Sequence, residues 1–327
     1  MKSTVPRPGQ ILIQPGSKHQ FAADVRHFLA LRPRQLPSRY LYDELGSALF
    51  EAICQLPWYP LTRAEMRLPQ AHAREISATV VSTVIELGWG SGAKLSALIA
   101  AAGSGRGRLD VHLVDISESA LAQACRALEV LEDVRVLTHQ TTYELGLEDS
   151  AQVRPFPGRR LTLFLGSNIG NFDPPGRDAF LRTVRAALRP GDGFLIGADL
   201  VKPERKLLMA YDDPLGVTSA FNRNLLVRIN RELQGSLDLD GFSHQALWNE
   251  ADSRIEMHLR SRRRQRGDIR GAGLDFVMEE GERIWTESSY KYDPGEIVSM
   301  LERSGFSVRA QWIDAVDRFA LTQAEAD

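Results

Sequence analysis

Between residues 79 and 200 the chain alternates short, β-branched apolar runs with segments of helical period, and this alternation limits the fold more than any other feature. The runs fall at 79–87, 111–115, 134–137, 161–165 and 194–200. The first, β-branched and bounded by Gly88, reads as a buried strand, and the others read as further strands. Between them, Leu95, Leu98 and Ile99 form one helical stripe, and further helices are expected over about 117–131 and over 175–189, the last closed by Pro190-Gly191. Strands that alternate with helices at this spacing form a doubly wound, mostly parallel sheet.

After about residue 201 the pattern changes. Residues 203–234 read as helical, and 243–290 read as antiparallel hairpins with Ile255, Met257 and Leu259 on one face and Glu256, His258 and Arg260 on the other. A helix near 294–304 and strands near 306–313 and 317–322 then return to the α/β pattern. Ahead of the sheet, 1–20 reads as a loose arm and 21–76 as helices, with Phe21, Val25, Phe28 and Leu29 on one stripe and Leu49, Phe50, Ile53 and Cys54 on another. Thr62 and Glu65 have the spacing of a capping box. The expected organisation is an α/β unit of residues 62–201 plus 291–327, interrupted by an α+β insertion, 202–290, on which 21–61 pack.

Lys and Arg number 40 against 42 Asp and Glu, a formal charge of -2, which argues against a nucleic-acid or acidic-membrane partner. The one basic cluster, 260–268, has no interleaved aromatics and reads as a solvated hairpin tip. No apolar run approaches the roughly 18 residues of a membrane span. Residues 1–9 lack a secretory signal, and Cys54 and Cys125 sit in apolar, helix-like surroundings, so a cytoplasmic protein with two free thiols is expected. Two cysteines and seven scattered histidines offer no metal-ligand spacing.

Glu86-Leu87-Gly88-Trp89-Gly90-Ser91-Gly92-Ala93-Lys94 ends the first strand, where a glycine turn lets a ligand approach the backbone closely. Asp115 ends the second strand, 27 residues after Gly88, where a carboxylate can accept from two ribose hydroxyls. Dinucleotides and S-adenosylmethionine both use this arrangement. Ala93 stands where a dinucleotide fingerprint has its third glycine, and the punctuation Leu188-Arg189-Pro190-Gly191-Asp192-Gly193 resembles that before the fifth strand of Rossmann-like class I methyltransferases.

A closer resemblance covers about residues 21–322. Tyr42-Asp43-Glu44-Leu45-Gly46-Ser47-x-Leu49-Phe50, Leu56-Pro57-x-Tyr59, Thr62-Arg63-x-Glu65, Gly166-Ser167-x-Ile169-Gly170-Asn171, Tyr211-Asp212-Asp213, Phe221-Asn222-Arg223-Asn224, Arg254-Ile255-Glu256-Met257 and Thr286-Glu287-x-Ser289 resemble the histidine Nα-methyltransferases of ergothioneine biosynthesis. The resemblance implies a class I methyltransferase unit with an inserted amino-acid-binding part, and S-adenosylmethionine as methyl donor to a small amino acid. It implies that Gly88, Gly90, Lys94, Asp115, Gln140 and Thr141 hold the cofactor, with Tyr42 near both cofactor and amine. It places Asn171 and Tyr211 on the carboxylate, the Gly166 carbonyl near the amine, and Tyr59 and Met257 against the ring. Tyr42 and Asn171 become the candidate catalytic residues.

Strand alternation puts Trp285, Glu287 and Ser289 on one face, where Glu287 can accept an imidazole N–H and Ser289 can meet the other nitrogen. An indole offers one polar partner only, which is how the pair separates histidine from the nearest alternative, another aromatic amino acid such as tryptophan. A non-catalytic binding relative is the second alternative. The chain departs from the family pattern at Trp89, at Gln140-Thr141 where an Asp-Phe pair is usual, and at Asn168 where Thr is frequent.

Overall fold

The computed structural model describes residues 18–77, 82–88, 92–101, 109–129, 131, 133–152 and 158–327. The chain opens with α1 (Lys18–Ala30), a short strand β1 (Arg34–Gln35), α2 (Glu44–Gln55) and α3 (Leu61–Ser77). The α/β run follows as β2 (Thr83–Leu87), α4 (Ala93–Ala101), β3 (Leu109–Asp115), α5 (Glu118–Leu128), β4 (Val134–Gln140), α6 (Tyr143–Gln152), β5 (Arg160–Phe164), α7 (Pro174–Ala187) and β6 (Gly193–Asp199). Then come α8 (Glu204–Tyr211), α9 (Val217–Leu233), β7 (Phe242–Asn249), β8 (Arg254–Ser261), β9 (Gln265–Ile269), β10 (Leu274–Met278) and β11 (Arg283–Tyr290). The chain closes with α10 (Pro294–Arg303), β12 (Phe306–Asp314) and β13 (Phe319–Ala326).

Among the described residues, seven strands form one sheet in the order β12-β13-β6-β5-β2-β3-β4. From β4 to β6 the neighbours are parallel, and β13 runs antiparallel to both of its partners. This is a Rossmann-like, class I methyltransferase order. From β2 the chain winds outward to β3 and β4 on one side and to β5 and β6 on the other, so a crevice opens at the carboxyl ends of β2 and β5. The strands form because β2 and β5 are buried at every position, as expected from their unbroken apolar runs. Local chemistry fixes the helix starts: Ser117 accepts from Ala120 N–H at 3.3 Å and Asp173 from Gly176 N–H at 2.9 Å.

A second sheet, β1-β11-β8-β7, carries the inserted residues. Phe21, Val25 and Leu29 of α1 join Leu225, Leu226 and Ile229 of α9 and Ile255 and Leu259 of β8 in one core. Two further cores cover the large sheet. The chain leaves that sheet just beyond β6 and returns beside its own exit, with Tyr292 N–H donating to the Asp199 carbonyl and Val201 N–H to the Tyr292 carbonyl, both at 3.1 Å. This double crossing sets the two sheets against a shared cavity.

Four details differ from the sequence reading. The helix at the arm begins at Lys18, and residues 1–17 lie outside the described set. Helix α6 was not expected; Gly146 inside it lies where a Cβ would meet Val114 of β3 at 2.3 Å, so the glycine that weakens the helical pattern is what lets the helix pack. The 203–234 segment is two helices, parted where Asp213 accepts from the N–H groups of Leu215, Val217 and Thr218 at 3.0, 3.2 and 2.7 Å. The Thr62–Glu65 capping box is not made, because α3 begins at Leu61 and Glu65 turns inward to a different task.

Candidate active site

A cavity of about 480 Å³, counted to its solvent-open mouth, lies between the carboxyl end of the large sheet and the inserted sheet. Its lining brings together Tyr42, Tyr59, Gly166, Asn171, Tyr211, Met257, Glu287 and Ser289, all singled out from sequence, from distant parts of the chain. Tyr42 packs edge-on against Phe50 and Phe221, with ring centroids 5.6 and 5.4 Å apart, and Tyr59 meets Tyr211 edge-on at 6.1 Å. Burial raises both the Tyr42 and the Tyr59 phenol well above the ordinary tyrosine value, so these walls stay uncharged.

The strand-end loop after β5 is held in an unusual backbone. Gly166 and Ser167 take successive positive φ values, 77° and 59°. Glu65, 1% exposed, fixes this turn by accepting from the Gly166 N–H with both oxygens, at 2.7 and 2.8 Å. The Lys94 ammonium donates to the same carboxylate at 2.5 Å. Lys94 therefore ties the helix after the glycine turn to the Gly166 turn, a link invisible in sequence because it joins three separate segments. Asn171 faces the cavity from the single turn that follows Ser167.

On the inserted side, Met257 is paired in register with Glu287, and Ile255 with Ser289. A bulge between Trp285 and Glu287 breaks the alternation, and Thr286 uses it to donate to the Met257 carbonyl at 3.0 Å. Trp285 is thereby turned away from the Glu287–Ser289 face. It pairs with His258 and lies under Arg254, whose guanidinium carbon is 4.6 Å from the ring centre. The expected indole beside the two polar groups is corrected on this point; Met257 and Tyr59 stand there with the cavity instead.

Glu287 is 9% exposed, and among the described residues no hydrogen bond reaches its carboxylate; burial pushes its pKa up to about 7, with Lys291 opposing. Tyr211 and Ser289 share a hydrogen bond of 2.8 Å between their hydroxyls. Sequence reasoning missed Lys291, which is fully buried behind them and donates to Tyr211 Oη at 2.8 Å and Ser289 Oγ at 2.9 Å. Burial opposes the Lys291 charge, but Asp199, 2.9 Å away, and the Tyr211 hydroxyl hold its pKa above the ordinary lysine value.

Among the cofactor candidates, Gly88 adjoins the cavity through Asn168, and Asp115 and Gln140 stand at the neighbouring strand ends. Asp115 and Gln140 are register partners at the carboxyl ends of β3 and β4, and Thr141 N–H donates to the Asp115 carbonyl at 3.2 Å. Gly88 has φ +82°, and a Cβ there would meet Asn168 Nδ2 and Tyr143 Oη at 2.9 Å, so the turn is built for close approach. Gly90 and Trp89 lie outside the described residues. Glu86 is completely buried, neither carboxylate oxygen is hydrogen-bonded among the described residues, and burial lifts its pKa to about 8. An orphaned acid under a glycine turn, with a second carboxylate at the next strand end, fits a ligand carrying an ammonium and ribose hydroxyls, as S-adenosylmethionine does.

Strand order and site define a Rossmann-like methyltransferase with a small-molecule cavity at the carboxyl end of its sheet. Comparison with known proteins carries this further. A family model described as histidine-specific methyltransferase, SAM-dependent, matches residues 21–326. The chain is 39% identical over 304 residues to the histidine N-alpha-methyltransferase of Mycobacterium tuberculosis, covering 92% of this chain and 93% of that protein. It is 38% identical over 303 residues to the Mycolicibacterium smegmatis protein of the same name, covering 92% and 93%. It is 29% identical over 270 residues to ergothioneine biosynthesis protein 1 of Neurospora crassa, covering 78% of this chain and 31% of that protein. The chain belongs to the histidine-specific, S-adenosylmethionine-dependent methyltransferase family.

Proposed function

We propose that this protein methylates the α-amine of L-histidine, up to three times, to give hercynine, the first step of ergothioneine biosynthesis. The observation that carries the reading is the convergence of Asn171, Tyr211, Glu287 and Ser289 on one cavity. S-adenosylmethionine supplies, when bound, an electrophilic methyl group that reacts with an uncharged amine aligned with it. Gly88, Gly90, Asp115, Gln140 and Thr141 would hold it, with Tyr42 at the boundary and Lys94 acting through Glu65.

The rest is the work of this chain's residues. Asn171 and Tyr211 donate to the substrate carboxylate, and Asn171 Oδ1 and the Gly166 carbonyl accept from the amine, which orients its lone pair. Glu287 takes one imidazole N–H and Ser289 the other nitrogen. Aromatic walls from Tyr42, Phe50, Tyr59 and Phe221 exclude water, which favours the neutral amine over the ammonium. Holding both ends of the amino acid converts methyl transfer into an oriented, effectively unimolecular step.

In this reading residues 21–61 and 202–290 are the amino-acid part and 62–201 with 291–327 the methyl-donor part. A cytoplasmic setting suits the two free cysteines. No helix among the described residues is long and apolar enough to cross a membrane. A nucleic-acid role finds little support in the basic hairpin, where Arg263, Arg264 and Arg266 are each paired with Asp238, Glu279 and Asp275. Mass spectrometry of the standard amino acids incubated with protein and S-adenosylmethionine tests the reading: histidine should gain one, two and three methyl groups. Methylation of another amino acid with histidine untouched would overturn it.

A further inference from the structure

We infer that Lys291 is a positioning residue for the substrate carboxylate: held by Asp199, its buried ammonium polarises the Tyr211 and Ser289 hydroxyls toward the cavity and makes the pocket select a free amino acid over its neutral carboxamide. The inference rests on the reading above, in which Tyr211 receives the carboxylate.

The ammonium is held by two hydrogen bonds and one ion pair. Lys291 Nζ lies 2.9 Å from Asp199 Oδ2, 2.8 Å from Tyr211 Oη and 2.9 Å from Ser289 Oγ. The two hydroxyl oxygens accept from the ammonium, the Asp199 carboxylate balances its charge, and Lys291 is 1% exposed. One of the two hydroxyl protons lies in the 2.8 Å hydrogen bond between Tyr211 and Ser289, and the other, on an oxygen that accepts from the cation, is a stronger donor and is left to face the cavity. Tyr211 and Ser289 both line the cavity, so the charge of Lys291 reaches a ligand through them without contact.

The charge balance points the same way. Asp199, 0% exposed, lies between two lysines, with Lys202 Nζ donating to Oδ1 at 2.6 Å and Lys291 at Oδ2. Lys202 is also bonded to the Asp317 carbonyl at 2.7 Å, while the Asp317 carboxylate is engaged by Arg67 at 2.6 Å. Two buried ammonium groups therefore share one buried carboxylate. The buried acid on the cavity wall, Glu287, is committed to the ring. An incoming carboxylate supplies the missing negative charge, and a carboxamide does not.

The test is calorimetric titration of the protein loaded with S-adenosylhomocysteine, using L-histidine and L-histidinamide, for the parent and Lys291→Met. Both ligands carry the imidazole, so any change that spreads to Glu287 cancels in the ratio of their dissociation constants. Asp199 keeps Lys202 in the variant, so no buried acid is stranded. The histidine Kd should rise about tenfold or more, with the histidinamide Kd moving less than about threefold, because charge-assisted hydrogen bonds are about twice as strong as neutral ones. Equal weakening of both ligands, or no change in either, overturns the inference in favour of a structural lysine. Lys291→Gln keeps donors and loses the charge; it should lose the same discrimination, and a retained ratio in that variant also overturns the inference. A parent that methylates and binds no histidine refutes the substrate reading itself, an outcome separate from both.

Discussion

Glu287→Gln should make the protein more stable and a worse histidine binder at once. The substitution keeps volume and removes only the charge. Burial holds the Glu287 pKa at about 7 against an ordinary 4.5, because its carboxylate has lost water. At about 1.4 kcal/mol per pH unit, that difference costs the folded state about 3 kcal/mol once the group ionises. The sign follows from proton counts: between the two pKa values the folded chain holds a proton that the unfolded chain has lost, so stability falls as pH rises from about 4.5 to about 7. The variant should therefore melt about 4–5 °C above the parent at pH 8, with a gain of no more than about 1 kcal/mol left at pH 5. Titration with histidine should show the opposite, an affinity about 10–100-fold lower, since a charge-assisted hydrogen bond is worth about 1.5–3 kcal/mol. Melting curves at the two pH values and calorimetry at pH 8 read both effects. A gain that is absent at pH 8, or equal at pH 5 and pH 8, would show that the carboxylate is not held dry and would refute the reasoning.

Three other outcomes are expected. Asp115→Ala should weaken S-adenosylhomocysteine binding by about 10–100-fold through loss of a charged acceptor, and calorimetry that finds parental affinity would misplace the ribose site. Asn171→Ala should keep cofactor binding but lose histidine turnover, while histamine, which has no carboxylate, should be a very poor substrate of the parent; efficient histamine methylation contradicts the roles of Asn171 and Tyr211. Glu65→Gln strands the Lys94 ammonium, which is 6% exposed, and should destabilise by about 3–5 kcal/mol, with Glu65→Gln/Lys94→Met less destabilised than the two single changes combined. Additive denaturation energies would mean that Glu65 and Lys94 act independently.

What sequence made visible follows from the physics of each element. Strands buried on both faces carry unbroken apolar runs, so β2, β3, β5 and β6 stood out, and Asp115 could be placed at a strand end by counting from Gly88. The cavity residues were reached through a family resemblance, because Tyr42, Asn171, Tyr211 and Glu287 share no spacing that a single element would impose. Trp285 was misplaced since a bulge adds one residue without any mark in the alternation. Glu65 looked like a local cap because Thr-x-x-Glu spacing is blind to a partner a hundred residues away at Gly166. Lys291 was passed over for a similar reason: a lysine at the end of a strand reads as solvated, and only the return of the chain beside Asp199 makes it a buried cation.

Those buried charges share a logic. Among the described residues neither Glu86 nor Glu287 has a hydrogen bond on its carboxylate, yet both are shut away from water; one lies under the glycine turn and the other on the cavity wall. Each therefore holds a raised pKa, and each represents a cost the folded protein bears above about pH 5. A ligand that brings an N–H or an ammonium to such an acid recovers that cost as binding energy, because the desolvation has already been done by folding. On the opposite side Lys291 and Lys202 outnumber Asp199, which leaves a place for a carboxylate. Partial charges of both signs, prepared in a dry cavity, are what a zwitterion with a polar ring requires, and the same preparation penalises any amino acid that leaves one of them unanswered.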